Sequence, residues 1–125
     1  MPDHKAHAEH NENLSNSLYT DGNFLDWANT IAFYSALHFV SCKILPNTYN
    51  GITCTSIAEA ASALKIKGKH EVTHAMVSII LPSISTEYKF LMDASFTARY
   101  YNYNVNPHHA KMCQKMLNKI KSACS

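Results

Sequence analysis

The chain has a single arginine, Arg99, and a single tryptophan, Trp27, in 125 residues, with only three glycines and four prolines. So little glycine and proline, beside 46% hydrophobic residues, excludes a disordered chain and argues for one folded domain over residues 1–125. A membrane-crossing segment is excluded as well, because the richest apolar stretch, Asp26 to Leu45, is interrupted by Asn29, His38 and Lys43. Cys42, Cys54, Cys113 and Cys124 form no CxxC pair, which argues against zinc or dithiol chemistry and for reduced thiols. Met1 to Asn16 is polar and rich in histidine, unlike a signal peptide, so a cytoplasmic location away from any membrane is expected.

Acidic residues are missing from one end. Residues 94 to 125 carry Arg99, Lys111, Lys115, Lys119 and Lys121 and no acid, whereas Asp3, Glu9, Glu12, Asp21 and Asp26 face a lone Lys5 near the start. That asymmetry suits self-association or an anionic ligand, but the positive charges are too few to hold nucleic acid by themselves.

What is present in quantity is helical periodicity. In Asp26 to Leu45, Trp27, Ile31, Tyr34, His38 and Leu45 share one line, and Phe33, Leu37, Val40 and Ile44 share another. Two apolar lines predict a central helix with Trp27 enclosed and Asn29 and Lys43 on a narrow polar edge. The first helix is expected from Asp3 to about Leu18, with His7, His10, Leu14 and Leu18 inward. Pro46 to Ser56 is expected to be a loop, followed by a short helix over Ser56 to Leu64. His70 to Leu81 predicts a helix ended or kinked by Pro82, and Ser83 to Tyr101 another. In the last helix Asn106 is the cap, Pro107 the first position, and Cys113, Met116, Leu117, Ile120 and Cys124 the inner stripe. The fold class is therefore all-α, an up-and-down bundle of four long helices with one short extra helix.

DWANTIAFYSALHFV, the later histidine pair ahead of an apolar helix, and YKFLMDASFTARYY together resemble a bacterial branch of the HEPN-like helical domains, from about His10 onward. Trp27, Phe33 and Tyr34 with His38, and the run Tyr88, Leu91, Ser95, Ala98, Arg99, Tyr100 carry the resemblance. It implies a helical bundle, homodimers, and roles in nucleotide or RNA transactions, including ribonucleases of toxin-antitoxin and defence systems. Active ribonucleases of that family place a histidine shortly after the arginine. Here Tyr100 to Pro107 separate Arg99 from His108, so the motif is not intact and ribonuclease activity does not carry over.

The candidate catalytic residues are His38, Arg99 and His108. Candidate ligand-binding residues are Arg99, His38, Tyr100, Tyr101 and Tyr103. A guanidinium fork suits a phosphate or carboxylate, and tyrosines suit a stacked base. Each has a structural alternative: His38 as a core histidine bonded to Tyr88 or Ser95, Arg99 in an ion pair with Asp26 or Asp93, the tyrosines as an aromatic cluster joining two helices. His70 and His74 have the four-residue spacing of metal ligands but no third ligand, so neither metal nor cofactor is expected. Lys111, Lys115 and Lys119 form a stripe that suits a solvated face or a phosphate backbone. The partners that follow are a second copy of the chain, a nucleotide or RNA, or another protein.

Overall fold

The computed structural model describes residues 3–125. The first helix, α1 (His4–Asp21), starts where the Asp3 side chain accepts a hydrogen bond from the Ala6 amide at 3.0 Å. It stops at Gly22, whose φ of 83° lets its amide reach back to the Leu18 carbonyl. Its inner face is not the expected one: Ala8, Glu12 and Ser15 are buried, while His7, His10 and Leu14 are exposed. Close packing decides this. Ser35 donates to the Ala8 carbonyl at 2.7 Å and Ser15 to the Ala28 carbonyl at 2.8 Å, approaches that only small side chains allow.

Helix α2 (Leu25–Ile44) is central, packed against α1 and against three helices from later in the chain. Ala28, Ala32, Ser35 and Ala36 admit α1, and Phe33, Phe39, Val40 and Ile44 fill the core. Two residues exchange their expected places: Trp27 is 52% exposed and Asn29 only 1%. Ile31, Tyr34 and His38, in line with Trp27, are half-buried. The small-residue side takes the close neighbour, so the line of large side chains is turned toward the surface.

The expected loop after α2 contains a hairpin. β1 (Asn47–Tyr49) pairs antiparallel with β2 (Ile52–Cys54), Tyr49 opposite Ile52. Asn50 and Gly51 both have positive φ, 52° and 77°, the backbone that a two-residue hairpin turn requires. The Tyr49 hydroxyl donates to the Ile44 carbonyl and fastens the hairpin to the end of α2.

Helix α3 (Ile57–Leu64) begins at Ser56, whose Oγ accepts from the Glu59 amide at 3.1 Å. Helix α4 (Lys69–Ile80) ends ahead of Pro82, as expected. A 3-10 turn at Pro82–Ile84 then leads into α5 (Ser85–Tyr100). In α6 (Pro107–Ala123) the Asn106 cap accepts from the His108 amide at 2.7 Å, and Ala110, Cys113, Leu117 and Ile120 are buried. α2 contacts α4, α5 and α6 in turn. Part of the charge asymmetry closes inside the chain, since Lys121 on α6 lies 3.0 Å from the largely buried Glu12 of α1. No helix among the described residues is long and apolar enough to cross a membrane.

Candidate functional site

Arg99 stands in the last turn of α5 and crosses to α2. Its Nη1 donates to the Tyr34 hydroxyl at 2.9 Å, and its Nε donates to the Ser95 carbonyl at 3.3 Å. The guanidinium carbon lies 5.6 Å from the Tyr34 ring centre and 5.1 Å from that of Tyr100. The ion pairs expected with Asp26 or Asp93 do not form: Asp93 is held at 2.7 Å by Lys89, and no carboxylate among the described residues pairs with Arg99. A tyrosine hydroxyl orients the fork without neutralising it, and most of its five N–H donors stay uncommitted.

Those donors border an open hollow of about 400 Å³ lined by Asp26, Trp27, Thr30, Arg99, Tyr100 and Tyr103. Trp27, Tyr100 and Tyr103 are exposed, as is Tyr101, which packs instead against Phe96 at 5.6 Å between ring centres. The structure therefore brings Arg99, Tyr100 and Tyr103 together and leaves Tyr101 to one side. Trp27 and Tyr34 join them, both expected in the core. The spacing of Ala28, Ala32, Ser35 and Ala36 is the signal that would have turned them outward.

His70 is the histidine nearest in influence to Arg99. Burial lowers its pKa, the Arg99 charge lowers it further, Glu71 opposes, and Lys69 adds to the lowering, so the ring is held neutral. It packs edge-on against Phe33 at 5.3 Å, and its Nδ1 is buried without a partner. The Tyr88 hydroxyl and Ser95 Oγ are likewise buried and unpartnered, so none of these polar groups is taken by the core around Phe33. His74 does not share a ligand set with His70: its Nε2 lies 3.2 Å from Ser85 Oγ and its ring is stacked over Tyr88. Among the described residues, no group of three or more His, Cys, Asp or Glu side chains is arranged to hold a metal ion.

His38 takes neither expected partner, because it turns to α1 rather than to α5. Its Nδ1 lies 3.0 Å from His4 Nδ1, and its ring stacks on His7 at 3.7 Å. Burial first, then His7, His4 and Lys69, push its pKa down to about 4. His108 is exposed at the start of α6, and its neighbour His109 faces Asn29 instead of Arg99. The lysines Lys111, Lys115 and Lys119 are all exposed, with Lys119 at 3.9 Å from Glu87.

An oriented, charged guanidinium beside exposed aromatic faces can hold one phosphate and stack one base, and a neutral His70 nearby can accept a proton. Compared with known proteins, the chain matches no family model, no curated protein and no solved structure.

Proposed function

We propose that this chain is a HEPN-like helical bundle that pairs as a homodimer and binds a nucleotide or single-stranded RNA through the Arg99 hollow. The observation that carries this reading is the Arg99 guanidinium itself, fixed by Tyr34 and Ser95 yet paired with no carboxylate, at the edge of a hollow rimmed by Trp27, Tyr100 and Tyr103. A phosphate accepts from the free side of the fork, and a base stacks on an aromatic face. Asp26 on the same rim disfavours a dense anion, so the hollow suits one phosphate and its base rather than a polyphosphate. The test uses Trp27 as a built-in probe: its emission should quench on titration with mononucleotides or a short single-stranded RNA. Unchanged emission together with no binding by an independent method would end the proposal.

A second reading, turnover, is favoured by one observation, the neutral His70 beside Arg99. In it, Arg99 holds the phosphate and His70 moves the proton in place of His108 or His38. RNA cleavage that His70→Gln abolishes while binding persists would establish it. Intact RNA after prolonged incubation would leave binding alone.

A further inference from the structure

Beside the Arg99 hollow, on the other side of Ala98, lies a second hollow of about 430 Å³ with a different lining. At its base is Asn29 of α2, 1% exposed. The Asn29 Nδ2 stands 3.5 Å from His109 Nδ1, and Oδ1 has no partner at all. Exchanging the amide oxygen and nitrogen does not cure the deficit, since the nitrogen, with two hydrogens, is then the unmatched end. One end of a buried carboxamide is left open either way, on the wall of a cavity.

The remaining walls are flat and apolar, from Phe90, Ala94, Ala98 and Val105, and Phe90 packs on the His109 ring at 5.1 Å between centres. Two of the asparagines around the rim are already occupied: Asn102 accepts from the Asn104 amide at 2.8 Å and Asn106 from the His108 amide at 2.7 Å. Asp93 on the rim carries a negative charge close to its Lys89 partner, which disfavours an anionic occupant. What fits is planar, neutral and mostly apolar, with a hydrogen-bond donor and an acceptor side by side on one edge. Adenine has that edge in its amino group and N7, and a carboxamide is its natural complement. The path between the two hollows is lined by Trp27, Tyr103, Asn104 and Val105, so one ligand can reach from one into the other.

We infer that the Asn29 cavity is a nucleobase site of adenine type, taking the base of the nucleotide or RNA whose phosphate Arg99 holds. The inference rests on the phosphate reading for its ligand class, but adenosine, which has no phosphate, tests it separately. The experiment is a nuclear magnetic resonance titration of the isotope-labelled protein with adenosine, uridine, adenosine monophosphate and ribose 5-phosphate. Adenosine should shift the Asn29 side-chain amide and the His109 ring, and uridine should bind at least tenfold more weakly. Asn29→Leu should lose at least tenfold in adenosine affinity. His109→Ala, at an exposed position, should lose several-fold and keeps the test valid if the buried variant fails to fold. Arg99→Lys should weaken adenosine monophosphate and leave adenosine unchanged. Equal binding of adenosine and uridine, shifts confined to other residues, or no adenosine binding would overturn the nucleobase site. Selective adenosine binding with no effect of Arg99→Lys on the monophosphate would uphold it and overturn the phosphate reading instead.

Discussion

At the residue scale, two hydrogen bonds determine what Arg99 offers to solvent. Tyr34 holds Nη1 at 2.9 Å, so Tyr34→Phe should leave the fold intact, free the guanidinium to wander, and weaken anion binding several-fold in a direct titration. Asp26 lines the same hollow without pairing with Arg99, and Asp26→Asn removes a negative charge from the rim. That variant should bind a mononucleotide more tightly than wild type, with the gain shrinking as salt is raised. His38 supplies a separate, acid-sensitive term. Its folded-state pKa near 4 is below the unfolded value of 6.5, so below about pH 6.5 the unfolded chain binds more protons and stability falls as pH drops toward 4. His70, lowered in the same direction, adds to the trend. The midpoint of thermal unfolding should therefore fall between pH 7 and pH 5, and His38→Gln should flatten that fall; a slope identical in both proteins would remove His38 as a source.

At the scale of the element, α2 shows where sequence reading succeeds and where it stops. Its central position was legible from two apolar lines, but its rotation was not, because the lines say that large residues pack and not which neighbour is closest. Ala28, Ala32, Ser35 and Ala36 settle that by admitting α1, and the consequence is an exposed Trp27 and a buried Asn29. Phe33→Ala, emptying the core, should cost about 3 to 5 kcal/mol in denaturant unfolding. Trp27→Ala should change stability by only about 0.5 kcal/mol, as an exposed side chain does. The termini of α5 and α6 were legible because Pro82, Asn106 and Pro107 act locally. The hairpin was legible in principle from Asn50 and Gly51, but its short strands carry no alternating pattern that outweighs the surrounding loop residues. Gly51→Ala meets no atom within 4 Å yet must hold a φ of 77°, so it should cost about 1 kcal/mol, whereas a neutral result would mean that the turn is not held in this form. Arg99 stood out in the sequence as the only arginine. Its partners did not, since Tyr34 and His70 reach it only through the packing of α2 and α4 against α5.

At the scale of the whole molecule, the exposed aromatic faces, the free guanidinium and the Asn29 cavity all lie where the start of α2, the end of α5 and the 101–106 segment meet. The opposite ends of the chain are tied by Glu12 and Lys121, which leaves the rest of the acidic and basic surface for a second copy. Light scattering at tens of micromolar should report a dimer, and a monomer throughout would remove the homodimer from the proposal without touching the ligand site. The central claim is that Arg99 anchors a phosphate, and it is tested most directly by comparing three proteins for binding of one labelled single-stranded RNA at fixed salt. Arg99→Lys keeps the charge and loses the planar fork, so it should bind at least tenfold more weakly than wild type with an unchanged thermal midpoint. Lys115→Ala, on the exposed face of α6, should bind like wild type. Equal affinity of Arg99→Lys and wild type, or no binding by any of the three, would contradict the account.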